Sequence, residues 1–290
     1  TRHTQYFVYV LEASLVFHGG LVIPLLSEFL EHALGDSEAQ KQDCELRGFA
    51  RLSERLKRLF PRLPILLVLD GLYANGPVMQ RCLRAGWQFM IVLRDKDLPS
   101  VWEEFRALQP RQSQTRQQDW GRRQQRFSWV NDIEYAFGAN GRCRLKLRVV
   151  GCEERWQRVD QQAAIVTETA RHAWLSSQPL SRESFHERCN LGARHRWDIE
   201  AGFLVEKHQG YHYEHAFALD WNAMRGYHLL MRLAHVFNTL ARFTRQLRDL
   251  FRQFGVRGAI AFIRASCAAP WFDPARMRAL LAKPFLLPLE

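Results

Sequence analysis

The most constraining feature of the sequence is the segment 65-ILLVLD-70, an unbroken apolar run that stops at a carboxylate. A strand that is apolar at every position has both faces covered. The run therefore predicts a strand in the middle of a sheet, with helices packed on either side. Open α/β sheets bind their ligands beyond the carboxyl ends of such strands. Asp70 is for this reason the first candidate functional residue.

The neighbouring segments predict an α/β order around that strand. Residues 5–17 and 21–26 are rich in β-branched and aromatic types and are joined by a Gly-Gly turn, which predicts a hairpin. Residues 41–60 repeat apolar side chains at helical spacing, and 87-WQFMIVL-93 predicts another strand. Together these elements define an expected first part of a core, residues 1–105.

The middle of the chain has a different character. Residues 111–126 hold five arginines and one acid, a composition that fits either a solvated loop or an arm that contacts DNA. Short alternating segments between residues 127 and 177 predict a β-rich insertion over residues 106–180. The pattern then becomes helical, so residues 181–290 are expected to complete the core.

Composition limits the classes of protein to consider. The chain has 41 Lys and Arg against 30 Asp and Glu, a formal charge of +11, and this excess of arginine suits a polyanionic partner. Its six cysteines are scattered without a CxxC pair, which argues against a disulfide scaffold or a zinc ribbon. No apolar run approaches the ~20 residues needed to span a bilayer. We therefore expect a cytoplasmic protein without a membrane partner.

A second carboxylate stands out in 194-RHRWDIEAGFLVEKHQG-210. If this segment is helical, Ile199 and Phe203 follow each other one turn apart, and Glu200 lies between apolar neighbours. Arg196 precedes Glu200 by one turn. The pattern therefore predicts that Glu200 faces the interior.

Asp70 and Glu200 could serve metal-dependent chemistry. Two-metal phosphoryl transfer needs carboxylates that converge on a pair of divalent ions ~3.5–4 Å apart. A strand-end Asp and a helix-borne Glu from distant sequence converge only in a folded layer of sheet and helix. The residues alone leave the alternative that Asp70 caps a turn and Glu200 forms an ordinary ion pair.

The segment 196-RWDIEAGFLVEK-207 resembles the Tyr-x2-Arg-x3-Glu-x6-Lys signature of DDE transposases from bacterial insertion sequences. Arg196, Glu200 and Lys207 fall at the spacing of that signature, whereas Ala193 occupies its Tyr position. The segment 65-ILLVLDGLYANGP-77 is similar to the strand that carries the second catalytic Asp of the family.

This resemblance implies an RNase H-like fold: an α/β mixed sheet flanked by helices, with a β-rich insertion between the second and third catalytic acids. The family carries its first catalytic Asp on a strand ahead of the hairpin. Here the only acid before Glu28 is Glu12, in mid-strand. The first strand and its Asp are therefore expected to be missing, so that the chain is a fragment of reduced or absent activity.

The resemblance also implies an activity, the cleavage and transfer of DNA strands at insertion-sequence ends. Asp70 and Glu200 would be the catalytic metal ligands for Mg²⁺, with Mn²⁺ as a substitute. Arg196 and Lys207 would bind DNA. The expected partners are DNA and a second copy of the chain, as a homodimer on paired ends in the bacterial nucleoid. An RNase H-like nuclease that cuts without joining and an inactive DNA-binding remnant stay open as alternatives.

Several further residues have simpler explanations than a functional role. Trp174 is expected in the core more than stacked on an unpaired base. His208, His212 and His215 are expected on a helix surface more than around zinc. The stretches 41-KQDCE-45 and 211-YHYEHAFALDW-221 resemble stretches that recur in one branch of the family, and they receive no role from the sequence.

Overall fold

The computed structural model describes residues 8–17, 21–30, 38–112, 114–160, 163–215, 217–218, 220–268 and 273–282. The chain divides into two compact units. Residues 28–197 form one, here called the sheet unit, and residues 1–27 with 198–290 form the other, the helical unit. The β-rich stretch 106–180 belongs to the same unit as Asp70. The expected division into residues 1–105, 106–180 and 181–290 stays a prediction.

The secondary structure alternates as the sequence predicted at its start and becomes helical at its end. The strands are β1 (Tyr9–Val16), β2 (Val22–Leu30), β3 (Leu66–Leu69), β4 (Gln88–Val92), β5 (Gln114–Trp120), β6 (Arg123–Phe137), β7 (Cys143–Val159) and β8 (Ile165–Ser176). The helices are α1 (Glu38–Leu59), α2 (Gly76–Arg84), α3 (Pro99–Gln112), α4 (Phe185–Cys189), α5 (Arg196–His208), α6 (Trp221–Phe243), α7 (Arg248–Ala268) and α8 (Pro274–Leu281).

The sheet unit is built on a six-stranded sheet with the order β3-β4-β8-β7-β6-β5. β3 and β4 are parallel, and the other neighbouring pairs are antiparallel. Helix α2 packs against β4, and α3 packs against β6. The architecture is therefore α/β with a mixed sheet flanked by helices.

The prediction that 65–70 forms a central strand is wrong for the part of the chain that the structure describes, where β3 lies at the edge of the six-stranded sheet. An apolar run reports that both faces of a strand are covered, and it carries no information on whether both backbone edges are paired. Leu66 is exposed while the rest of β3 is partly buried, which is consistent with an edge position.

The Arg/Gln segment 111–126 is neither a loop nor a free arm. It ends α3 and then forms β5 and the start of β6, which pair from Gln114 opposite Trp129 to Trp120 opposite Arg123. β5 is largely exposed, so it needs no alternation of apolar residues. Its partner β6 supplies the buried aromatic residues that anchor the pair. A polar strand at a sheet edge also discourages pairing with other chains.

One buried cluster of the sheet unit lies beneath α4 and the turns around it. Phe185 of α4 stacks on Trp129 with ring centroids 5.6 Å apart and meets Phe127 at 4.8 Å. The Trp129 indole N–H donates to the Leu180 carbonyl at 3.0 Å. Trp174 belongs to this cluster and is only 4% exposed, which confirms its expected place in the core.

The helical unit contains β1, β2 up to Ser27, α5 from Asp198 onward and the helices α6 to α8, and β1 pairs with β2. The expected helical character of residues 181–290 is present as separate helices; α6 ends at Phe243 and α7 begins at Arg248. The polarity of α6 is unusual. Its buried residues include His228, Arg232 and His235, whereas apolar residues such as Leu230 are exposed.

Within the described ranges, no helix has the length and apolar content needed to cross a bilayer.

Candidate active site at strand β3 and helix α5

Asp70 follows β3 and caps the short 3-10 turn Gly71–Tyr73. Its side-chain Oδ1 accepts a hydrogen bond from the Leu72 N–H at 2.9 Å, and its own backbone is extended. The turn-capping interpretation of Asp70 is therefore correct as a description of its local bonds. The same bond fixes the orientation of the carboxylate at the end of the strand.

Glu45 of α1 lies close to Asp70 through Tyr73. The Tyr73 hydroxyl donates to Glu45 Oε1 at 3.0 Å, and the buried Tyr73 ring packs on Phe49 with centroids 5.1 Å apart. Burial raises the pKa of Glu45 above its usual value, the hydrogen bond from Tyr73 lowers it in part, and the negative charge of Asp70 raises it again. The recurring stretch 41–45 thus contributes one carboxylate to the surroundings of Asp70; the side chains of residues 41–44 lie outside the described part.

On its other side Asp70 adjoins residues that follow the parallel strand β4. Arg94 Nε pairs with Asp97 Oδ2 at 2.8 Å. A Cβ on Gly71 would come within 2.5 Å of Arg94 Nε and 2.9 Å of Asp97 Oδ2, so a larger residue here would displace the Arg94–Asp97 pair. The hydrogen bond to Asp97 raises the pKa of Arg94, and the charge of Asp70 adds to this effect. Arg94, which follows β4, therefore lies near the carboxylate of Asp70, which follows the neighbouring strand β3.

The start of α5 is attached to the same two strands. The 3-10 turn Ala193–His195 directly precedes α5 and packs on β3 and β4. Arg196 begins the helix, and its guanidinium lies 4.0 Å from the centroid of the Trp197 ring. The Arg position of the transposase-like signature thus follows a turn that lies against β3, the strand that leads into Asp70.

The prediction that Glu200 faces the interior is wrong: Glu200 is exposed, and the buried acid of α5 is Glu206. Both Glu206 oxygens accept from Arg232 Nη1 at 2.6 Å, and His235 Nδ1 lies 2.6 Å from Glu206 Oε1. From Glu200 to Glu206 the helix turns through about 600°, so the two side chains lie about 120° apart around the helix axis. Bonds to Arg232 and His235 of α6 therefore determine which acid of α5 is buried.

Glu12, the acid in mid-strand β1, is part of the same buried cluster. Its carboxylate pairs with Arg232 Nη2 at 2.6 Å and with His228 Nε2 at 2.8 Å, and the Ser27 hydroxyl donates to it at 3.1 Å. Arg232 thus bridges two buried carboxylates. We call Glu12, Glu206, His228, Arg232 and His235 the α6 ion cluster. Its buried contacts join α5 and β1 to α6.

Lys207 lies on the exposed side of α5. Its ammonium group is 2.8 Å from the exposed Glu214 carboxylate, and the hydrogen bond from Lys207 lowers the pKa of Glu214. Helix α5 ends at His208, and His212 has a positive φ of 54°. His208 is therefore exposed on α5 as expected, whereas His212 and His215 lie beyond the end of the helix.

Each of the two units contains two of the four predicted site residues. Asp70 and Arg196 belong to the sheet unit, and Glu200 and Lys207 belong to the helical unit. The convergence of Asp70 with Glu200 stays a prediction. In the part of the chain that the structure describes, no three His, Cys, Asp or Glu side chains are grouped as a metal site, and a two-carboxylate set falls below that number in any case.

Two residues of this region were not predicted from the sequence. Glu45 was visible only as part of the recurring stretch 41–45, whose spacing gives no hint of Tyr73. Glu206 precedes Lys207 in the signature segment, but its burial depends on the distant Arg232. Neither residue carried a local pattern that identifies its role.

The chain was also compared with known proteins. No protein-family model matches it, and no curated protein matches it with significant similarity.

Proposed function

We propose that the chain is the catalytic domain of a DDE transposase with an RNase H-like fold, which cuts and joins DNA at the ends of an insertion sequence. The observation that carries the proposal is the packing of the turn Ala193–His195 on β3 and β4. This turn leads directly into Arg196, and β3 leads directly into Asp70. Two motifs that are distant in the sequence thus begin from neighbouring backbone segments, as a shared site requires.

Asp70 and Glu200 have the chemistry of magnesium ligands. Mg²⁺ prefers oxygen ligands and keeps several waters, so a few carboxylates suffice. The bond from Leu72 N–H restrains Asp70, and exposure leaves Glu200 accessible to water and DNA. When bound, the metal ions would activate water and stabilise the leaving oxygen in strand cleavage. The remaining work of the protein is to hold the DNA in register.

Arg196 and Lys207 are the proposed DNA-binding side chains. Stacking on Trp197 restrains the planar guanidinium of Arg196, which suits a forked contact with phosphate. Lys207 pairs with Glu214, which is exposed, so the interaction is weak and can be exchanged for a phosphate. The net charge of +11 would favour the encounter with DNA.

The experiment is an Mg²⁺-dependent assay on a plasmid that carries the DNA flanking the coding sequence, with a labelled duplex as target. We expect nicked and joined products at low yield, in keeping with the reduced activity expected from the sequence, and we expect them to disappear in Asp70→Asn and in Glu200→Gln. The matched control is Asp132→Asn, since Asp132 forms an exposed ion pair with Lys146 at 2.8 Å and should leave activity unchanged.

Each other outcome counts against the proposal in a distinct way. Nicks without joined products would favour a nuclease. Bound but uncut DNA would favour a DNA-binding remnant. Activity that survives both carboxylate substitutions would remove Asp70 and Glu200 from the site.

A further inference from the structure

A fully buried carboxylate on β7 is not used by the proposed chemistry. The side chain of Glu154 is 0% exposed and accepts from Arg123 Nη1 and Gln125 Nε2 at 2.6 Å each. It also accepts a short hydrogen bond from Arg194 Nη2, and His172 Nε2 lies 3.5 Å away. Burial alone would raise the pKa of Glu154, but the bonds from Gln125 and Arg123 and the nearby arginine charges lower it overall. Glu154 is therefore a paired, charged acid inside the sheet unit.

Arg194 is held on every side by residues of the sheet and of the α4 segment. Its guanidinium lies 4.9 Å from the Trp120 ring centroid and 5.7 Å from that of Trp174. Its Nε donates to Asn190 Oδ1 at 3.0 Å, and the Asn190 amide donates to Gln125 Oε1 at 2.8 Å. The side chain is thus fixed in both position and plane.

A buried ion pair of this kind is a poor source of net stability. The cost of removing both charges from water can exceed their attraction, and apolar side chains of similar size often stabilise as well or better. Such a pair instead fixes the orientation of its side chains, because the planar guanidinium of Arg194 between two rings has one preferred plane. Arg194 lies inside the turn Ala193–His195, two residues before Arg196. The pair therefore fixes the backbone from which Arg196 projects.

We propose that Glu154 is a positioning residue, which holds Arg194 and thereby sets the Arg196 side chain for its contact with DNA phosphate. This inference rests on the proposed function, since it assumes that Arg196 binds DNA. It extends that function by assigning a role to a residue outside the signature segment, on a strand of the predicted insertion.

The test is a thermodynamic cycle of DNA affinity with Glu154→Gln, Arg196→Ala and the double variant. The probe is a fluorescein-labelled duplex of the flanking DNA, and the readout is fluorescence anisotropy. Loss of one charged phosphate contact should weaken binding by about tenfold in Arg196→Ala. Glu154→Gln should weaken binding several-fold alone and should change nothing further in the Arg196→Ala background. A merely structural role would give the same loss in both backgrounds.

Two further variants show whether a loss of affinity in Glu154→Gln arises from misfolding. Arg194→Lys keeps the charge but loses the guanidinium geometry that bonds both Glu154 and Asn190, and the stacking, so it should reproduce the coupled loss if Glu154→Gln fails to fold. Glu168→Gln is the matched control, because Glu168 pairs with Arg158 at the exposed end of β7 and β8 and should leave affinity unchanged.

The outcomes distinguish a failure of the positioning role of Glu154 from a failure of the proposed function. If Arg196→Ala weakens binding while Glu154→Gln and Arg194→Lys do not, or if their effects simply add, the positioning role is overturned and the proposed function stands. If Arg196→Ala leaves affinity unchanged, the DNA-binding role of Arg196 fails, and the inference fails with it.

Discussion

Arg232 is the cation that joins two buried carboxylates in the α6 ion cluster, so its replacement by methionine tests how the helical unit is held together. The Arg232 side chain is 7% exposed, that of Glu206 is 0% exposed and that of Glu12 is 1% exposed. Methionine keeps much of the apolar stem of arginine and removes the charge and all of its hydrogen bonds. Arg232→Met therefore leaves two carboxylates buried without their shared cation.

The expected loss follows from that burial. Removing one partner of a buried ion pair costs about 3–5 kcal/mol, because the remaining charge is uncompensated. Here His228 and His235 keep contacts to the two carboxylates, at 2.8 Å and 2.6 Å. We therefore expect a loss near the lower end, about 3 kcal/mol. Glu206→Gln in the Arg232→Met background should recover part of it, since one of the unpaired charges is then gone.

The assay is urea unfolding followed by far-UV circular dichroism, which reports the helices. The matched control is Arg252→Met, whose side chain is 70% exposed and lies 3.9 Å from Asp249, itself 84% exposed. This control should change the free energy of unfolding by no more than about 0.5 kcal/mol. A loss below about 1 kcal/mol in Arg232→Met, the range of surface pairs, would refute the view that the cluster braces the unit.

Three further predictions concern the sheet unit. Tyr73→Phe should lower the free energy of unfolding by about 1–3 kcal/mol, because it leaves the Glu45 carboxylate without its hydrogen-bond donor; a urea curve identical to that of the parent would contradict this. Because the folded pKa of Glu154 lies below its usual value of 4.5, its contribution to stability is complete above that pH and is lost as the pH falls through the folded pKa. Melting temperatures measured in acid should therefore fall less steeply for Glu154→Gln than for the parent, and parallel curves would count against the assignment. Arg116 and Arg126 are exposed on β5 and β6, and both can be replaced by alanine. The slope of log affinity against log salt concentration should then decrease by about 0.9 for each phosphate that the protein no longer neutralises. An unchanged slope would show that this hairpin does not contact DNA.

The order of elements could be predicted where side-chain patterns are set by local periodicity. The alternating segments after Phe127 became β6, β7 and β8, and the helical stripe of residues 41–60 became α1. The pairing of edges could not be predicted, since an apolar run such as 65–70 says nothing about its backbone neighbours. The Gln-rich β5 was missed for a related reason. Its stability comes from β6, not from its own side chains.

The candidate site shows the same division between local and distant causes. The spacing of Arg196, Glu200 and Lys207 was readable, and Asp70 does follow a strand. The buried face of α5 could not be predicted, because the neighbouring Ile199 and Phe203 placed Glu200 in the interior. The acid that is buried, Glu206, is held there by bonds to Arg232 and His235 of another helix. A periodic reading of α5 alone therefore assigned the interior to the wrong acid.

The central claim is that Asp70 and Glu200 bind the same metal site. The most direct measurement replaces Mg²⁺ by Fe²⁺ and adds ascorbate and peroxide, so that hydroxyl radicals cut the polypeptide beside the bound ion, and mass spectrometry maps the cuts. The account predicts cuts next to both residue 70 and residue 200, and the loss of both in Asp70→Asn. Cuts beside only one of the two residues, or cuts at both that persist in Asp70→Asn, would contradict it.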